Sequence, residues 1–352
     1  MLIVKLSSIG DVVHTLPAAA LLRESLPDAN ISWLVDRRAA AILEESPVID
    51  RLIKIDGKRW HRTHRETAAR GANASSESPG GTYDLAIDFQ GLIKSSLLAR
   101  LSGAPRRVGF ETSELREKPS RLFLTEQIAT ANCDHVIDKN LALARGALGC
   151  DQPQSNTGNR SRYSFPIRVS PQDEAYAAEA AAGFRGRFTI INPGGGWPTK
   201  LWPASNYREI ARILWEENAL ASFVTYGPGE EPLARTIAEP SEPYVKLLPS
   251  TLKQFVALAR RAQLFIGGDT GPLHLAAAAG TPIVGIYGPT SPARNGPFSP
   301  DDLTVGRDLW CRPDCHRRSC WHWECMDIPV ATVASAVRRR LSAVSIQTPG
   351  AR

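Results

Sequence analysis

The string Phe265-Ile266-Gly267-Gly268-Asp269-Thr270-Gly271-Pro272-Leu273-His274 leads from an apolar strand through a glycine turn into an Ala-rich helix. The start of a helix leaves backbone N–H groups unpaired and carries the positive end of its dipole, so this junction suits a phosphate. Thr270 and Gly271 line it. A second glycine turn, Asn192-Pro193-Gly194-Gly195-Gly196-Trp197-Pro198-Thr199-Lys200, follows another apolar run. Its glycines admit a diphosphate close to the backbone, and Lys200 offers charge to a departing phosphate. Lys200 stands between Thr199 and Leu201, so this is not a Walker A loop. Near the other end of the chain, Lys5-Leu6-Ser7-Ser8-Ile9-Gly10-Asp11 joins a strand to a helix. Gly10 permits a tight turn, and Asp11 falls at the helix start, where capping is its plainest role.

Tyr226-Gly227-Pro228-Gly229-Glu230-Glu231 lacks the third glycine of a dinucleotide fingerprint and follows a late strand, so it is a weak NAD signal. An acidic residue there can accept hydrogen bonds from ribose hydroxyls, and Glu230 and Glu231 both qualify. No Asp-x-Asp and no His/Asp/Glu cluster has metal-ligand spacing, so neither a metal nor a cofactor is expected. Cys311, Cys315, Cys320 and Cys325 are spaced C-x3-C-x4-C-x4-C, unlike the paired C-x2-C of zinc ribbons. Reduced thiols are the favoured reading of the four, and Cys133 and Cys150 read as ordinary buried thiols.

The elements that must hold these residues follow a simple alternation. Strands are expected over 2–6, 31–35 and 83–89, with helices over 12–26 and 39–45. A basic and then Ala/Ser/Gly-rich insertion occupies 57–82, and a polar linker occupies 150–164. A second set has strands over 188–191, 222–226, 264–266 and 282–287, helices over 204–217 and 251–261, and a basic helix over 330–344. Such alternation builds doubly wound parallel sheets of α/β class. The expected domains are 1–155 and 165–328, with 329–352 as a final helix.

Length supports this division, because 352 residues are comfortable for two domains. Charged residues at 22% and hydrophobic ones at 43% are ordinary for a globular protein and do not indicate disorder. The apolar start is short and interrupted by Lys5, and no run of about 18 apolar residues follows, so a cytoplasmic protein is expected. A net charge of +6 favours anionic partners without naming one. The densest basic cluster is 58–65, which also carries Trp60.

These strings, in this order, resemble glycosyltransferase family 9, the bacterial lipopolysaccharide heptosyltransferases. The resemblance covers 5–17, 83–96, 192–203 and 267–292. Within the family, Ser7-Ser8-Ile9-Gly10-Asp11-Val12-Val13-His14 and Asp88-Phe89-Gln90-Gly91-Leu92-Ile93-Lys94-Ser95 look most like the heptosyltransferase I branch. The resemblance implies a GT-B fold, with two Rossmann-like domains facing across a cleft and a last helix crossing back to the first. It implies inverting, metal-independent transfer of L-glycero-D-manno-heptose from ADP-heptose to the Kdo/lipid A inner core, with Asp11 as general base. On the donor side it implies Gly195, Gly196, Thr199, Lys200, Glu230, Asp269, Thr270, Gly271 and His274. On the acceptor side stand Ser8, Gly10, Arg59, Arg62 and Lys94, suited to anionic sugars and lipid phosphates. The family usually has hydroxyl residues where this chain has Gly195 and Gly196, which leaves backbone N–H groups or Thr199 as donors. The expected setting is the cytoplasmic face of the inner membrane, bound peripherally, with no nucleic-acid partner. Two alternatives remain: another GT-B nucleotide-sugar enzyme, such as a heptosyltransferase II or an epimerase, and a zinc-bound nucleic-acid module.

Overall fold

The computed structural model describes residues 1–56, 83–130, 133–150, 163–238, 242–311, 315, 319–320 and 323–347. Arg59 and Arg62 lie outside these residues. The chain divides into two compact units, Met1–Arg168 and Val169–Arg352.

The first unit holds a parallel sheet of β1 (Leu2–Val4), β2 (Ser32–Asp36), β3 (Arg51–Ile55), β4 (Leu85–Asp88), β5 (Arg106–Phe110) and β6 (Glu126–Ile128). Their order is β3-β2-β1-β4-β5-β6. The chain winds outward from β1 to β3, then returns to place β4 on the other side of β1. Strand order therefore reverses between β1 and β4, where loops at the strand ends diverge and leave a crevice for a ligand. Every residue of β1, β2 and β4 is buried, as a parallel sheet covered on both faces requires.

The second unit repeats the plan with β7 (Phe188–Asn192), β8 (Ala221–Val224), β9 (Val245–Leu247), β10 (Phe265–Gly268), β11 (Ile283–Tyr287) and β12 (Leu303–Gly306). The order β12-β11-β10-β7-β8-β9 reverses between β7 and β10. Local chemistry starts its helices. The Ser170 hydroxyl accepts from Asp173 N at 3.2 Å ahead of Pro171–Ala182, and Thr251 does the same for Gln254 N at 3.2 Å ahead of Leu252–Ala259. Helix Ala204–Asn218 buries Tyr207, Ile210, Ala211 and Leu214, the i, i+3, i+4, i+7 stripe of an amphipathic helix.

The final helix, Val330–Gln347, packs on helix Ala204–Asn218 and on β11 and β12 through Val333, Ala334 and Val337. These residues serve the second unit's own core. Arg340 fastens it, donating Nε and Nη2 to Asp302 Oδ1 at 3.1 Å each. Burial of Asp302 outweighs that cation and the Ile283 N–H, so its pKa is pushed up to about 6.

The structure departs from the sequence expectations at several points. The helix expected over 12–26 is two, Ile9–Val13 and Leu16–Ser25, with Pro17 in the first turn of the second. β3, β5, β6, β9 and β12 were not expected, and all are short with partly exposed residues. Cys133 is half-buried and Cys150 exposed, so neither is a core thiol.

Candidate active site

Both candidate clusters sit where their sheet's strand order reverses. In the first unit the loop after β1 carries Lys5 to Ser8, and the following short helix carries Asp11 at its third position. Ser8, not Asp11, occupies the capping position, which corrects the N-cap reading of Asp11. Asp11 reaches back instead: Ser8 N and Ser8 Oγ donate to its Oδ2 at 2.8 and 2.9 Å. Burial alone would raise its pKa. The Lys5 ammonium, the two Ser8 bonds and the Arg116 charge prevail, and the carboxyl lies below its ordinary value. Gly10 is buried beneath this turn and Ser8 is exposed above it.

The loop after β4 meets the loop after β1. Lys5 is buried and its Nζ donates to Phe89 O at 2.7 Å. Gln90 Oε1 accepts from Leu6 N at 3.1 Å and Ser7 N at 3.3 Å. Asp88, at the end of β4, accepts from Gln90 N, Gly91 N and Ser95 Oγ. Burial nevertheless pushes its pKa up to about 6. Lys94 is half-buried in the same segment; desolvation lowers its pKa against the opposing pull of Asp36 and Asp56. Lys5, Asp88 and Gln90 fall within the strings that carry the family resemblance but were assigned no role from sequence, and Arg116 lies outside those strings. A strand-end Asp and a Lys just beyond the first strand were the available signals.

In the second unit the loops after β7 and β10 converge. Lys200 Nζ donates to Asp269 Oδ2 at 2.6 Å and Asp269 O at 2.9 Å, and it lies 4.7 Å from the centroid of the Trp197 ring. His274 Nε2 faces Asp269 Oδ1 at 3.2 Å, and Asn295 Nδ2 donates to the same oxygen at 2.7 Å. Burial disfavours the Asp269 carboxylate, but His274 and Lys200 outweigh it and hold its pKa far below the usual range. Asp269 therefore anchors three side chains. Asn295 was missed from sequence, since nothing in its own segment marks it.

Helix Gly271–Ala278 follows directly. Thr270 is its cap residue but takes no first-turn N–H with its side chain, and its hydroxyl points back to Gly268 O. Such a helix start is electrostatically open to an anion. Glu230 approaches from the loop after β8, where Gly227 N donates to its Oε2 at 2.8 Å. Its carboxylate packs on Gly194 so closely that a Cβ at that position would collide with it. Glu231 turns away and pairs with Arg235 one turn on. Of the two acidic residues, only Glu230 shares the Gly194 loop.

Gly196 is exposed at φ +64°, while Thr199 is buried. Thr199 lines a hollow with Pro289 and all four of Cys311, Cys315, Cys320 and Cys325. Among the described residues no disulfide joins these cysteines, and no three His, Cys, Asp or Glu side chains form a metal-ligand group.

A carboxylate-bearing loop at a strand-order reversal in one Rossmann-like unit and a helix start open to an anion in the other invite comparison with known proteins. Lipopolysaccharide heptosyltransferase 1 of Pseudomonas aeruginosa is 29% identical over 322 residues, covering 91% of this chain and 87% of that protein. The Salmonella typhimurium enzyme of the same name is 29% identical, covering 89% and 94%. The structure of E. coli heptosyltransferase WaaC with ADP superposes with a TM-score of 0.71 at 25% identity, covering 98% of each chain. E. coli ADP-heptose lps heptosyltransferase II shares the fold, with a TM-score of 0.71 at 22% identity over 98% of this chain and 99% of that one. Residues 79–322 match the family model of glycosyltransferase family 9 (heptosyltransferase). The chain belongs to that family, and is a glycosyltransferase of GT-B fold.

Proposed function

We propose that this enzyme transfers L-glycero-D-manno-heptose from ADP-heptose to the Kdo region of a lipid A acceptor, with inversion at the anomeric carbon. The observation that carries the reading is the pair of sites at the two strand-order reversals, one centred on a carboxylate and the other on an anchored lysine beside a helix start. Relatives spanning nearly the whole chain and named for lipopolysaccharide heptosyl transfer support it.

In this mechanism the acceptor hydroxyl attacks the anomeric carbon as the bond from that carbon to the diphosphate oxygen breaks. Ser8 engages Asp11 Oδ2, so Oδ1 takes the hydroxyl proton. The depressed pKa makes Asp11 a weak base, so proton transfer runs late, when the attacking oxygen has become acidic. ADP departs against Lys200 and the start of helix Gly271–Ala278, both of which interact more strongly as leaving-group charge grows. His274 steadies Asp269, and Glu230 receives the ribose hydroxyls. Gly195 and Gly196 let the diphosphate approach, and backbone N–H groups replace the buried Thr199 as its main donors.

Because Lys200 and the helix start carry the leaving-group charge, turnover is expected to persist in EDTA. An absolute requirement for added Mg²⁺ in an ADP-release assay would contradict this.

On the acceptor side we assign Ser8, Gly10, Lys94, Arg59 and Arg62, the last two in the basic 58–65 cluster. No helix among the described residues is long and apolar enough to cross a membrane. Association with the inner membrane is peripheral in this reading, through the basic 58–65 cluster, whose attraction to anionic lipid salt screens. The double variant Arg59→Ala/Arg62→Ala is expected to raise KM for the lipid acceptor and weaken sedimentation with anionic vesicles, while KM for the donor stays unchanged. A donor-only defect would remove these arginines from the acceptor side. Incubation with ADP-heptose and Kdo2-lipid A tests the reaction as a whole.

A further inference from the structure

The approach of the β1 and β4 loops is more than packing, because it fixes the backbone from which Asp11 projects. After β1 the main chain leaves the sheet with its polar groups still paired. Trp33 Nε1 donates to Lys5 O at 3.1 Å and Asp36 N donates to Leu6 O at 2.9 Å. The N–H groups of the same stretch point the other way. Those of Leu6 and Ser7 both reach Gln90 Oε1, at 3.1 and 3.3 Å, and that of Ser8 reaches Asp11 Oδ2 at 2.8 Å. Three consecutive amides are thus held by two side chains, one of them the proposed base.

Gln90 is itself held. It is 5% exposed, and the turn that aims it is built on Asp88, whose Oδ1 accepts from Gln90 N at 2.9 Å and whose Oδ2 accepts from Ser95 Oγ at 2.9 Å. Gly91 continues that turn at φ +69°, a conformation that favours glycine. Lys5 Nζ closes the tie from the opposite side on Phe89 O. The two loops are therefore cross-linked in both directions, side chain to backbone each way.

The choice of an amide also has a physical reason. Two carboxylates, Asp11 and Asp88, already share the neighbourhood of one buried ammonium, Lys5. A neutral carbonyl accepts two N–H groups without adding another negative charge beside the base.

We propose that Gln90 is a positioning residue for catalysis, its side-chain carbonyl clamping the Leu6 and Ser7 amides so that the Ser8–Asp11 turn presents the base in one orientation. The inference rests on the assignment of Asp11 under Proposed function. Displacement of a reacting group by about 1 Å can cost about 10²-fold in rate, so loss of the clamp reads in kcat. Donor binding, assigned to the other unit, does not depend on it.

The test uses Gln90→Leu, which keeps volume and removes the acceptor, and Gln90→Glu, which retains an acceptor oxygen. Each is made alone, and Gln90→Leu is also combined with Asp11→Asn in the full-length enzyme. Circular dichroism confirms folding. Gln90→Leu is expected to lower kcat about 10-fold or more with KM for ADP-heptose within about 2-fold of wild type, because misalignment of the base acts on the chemical step. Gln90→Glu is expected to recover part of the loss. On the Asp11→Asn background, Gln90→Leu is expected to add less than about a 2-fold loss, since a residue acting only through Asp11 has nothing left to position.

Wild-type turnover in Gln90→Leu, full multiplication of the two losses in the double variant, or a parallel loss of donor affinity would each overturn the proposal. If Gln90→Leu does not fold, a kcat for Gln90→Glu no better than for Asp11→Asn overturns it as well. Failure of the Asp11 assignment is read separately. Wild-type turnover in Asp11→Asn removes the base, and the clamp's purpose with it; an inactive Asp11→Asn beside a fully active Gln90→Leu removes only the clamp.

Discussion

Asp11→Ala is expected to lower kcat by about 10²-fold or more and leave ADP affinity unchanged, because a general base contributes about that much to the chemical step and the proposal places Asp11 apart from the donor ligands. A purely structural role predicts much less. Losing a helix-start contact costs roughly 1 kcal/mol of stability, whereas a 10²-fold rate loss corresponds to about 2.7 kcal/mol of barrier. Asp11→Asn sharpens the comparison, since the amide still accepts from Ser8 but is a negligible base. Near wild-type turnover in both variants, measured by ADP release, would return Asp11 to a structural role. The lowered pKa also sets the pH dependence. Asp11 is ionised above its ordinary value of 3.8 and stays ionised somewhat below it, so no loss of turnover near pH 5 or 6 is expected from this group.

Lys200→Ala is expected to weaken ADP binding about 10- to 100-fold by calorimetry, the worth of one charge-assisted contact of about 1.5–3 kcal/mol. It is also expected to lower kcat, because leaving-group charge peaks in the transition state. Asp269→Ala acts differently. It removes the carboxylate that Lys200, His274 and Asn295 share, a side chain only 4% exposed, so a loss of about 3–5 kcal/mol of unfolding free energy is expected. That is a large part of the roughly 5–15 kcal/mol that a folded protein has. A donor-binding defect is expected to accompany it, because Lys200 loses its carboxylate partner and keeps only the main-chain carbonyl of residue 269. Unchanged ADP binding in both variants would contradict the donor assignment. The Asp269 carboxylate has a lowered pKa, so its contribution is complete above 3.8 and is lost as pH falls beneath that value.

Much of this was legible in the sequence because buried parallel strands are continuous apolar runs. Leu2–Val4, Ser32–Asp36, Phe188–Asn192 and Ile283–Tyr287 are each buried throughout, and each stands out from its flanks. The edge strands Arg51–Ile55, Glu126–Ile128, Val245–Leu247 and Leu303–Gly306 expose part of their length, and the first three mix charge with apolar residues. Their pairing depends on neighbours brought from elsewhere in the chain, which local pattern does not carry. The site divides in the same way. Asp11, Lys200 and Asp269 lie in glycine-marked strings, whereas the role proposed for Gln90 rests on contacts with residues 83 and 84 positions away. The choice between Glu230 and Glu231 likewise needed the approach of Gly194.

Incubation of the purified protein with ADP-heptose and Kdo2-lipid A, reading ADP release and product mass together, tests heptosyl transfer itself. ADP is expected to form in step with a lipid acceptor heavier by one heptosyl unit. ADP release without sugar on the lipid, or no release with a donor that binds, would contradict it.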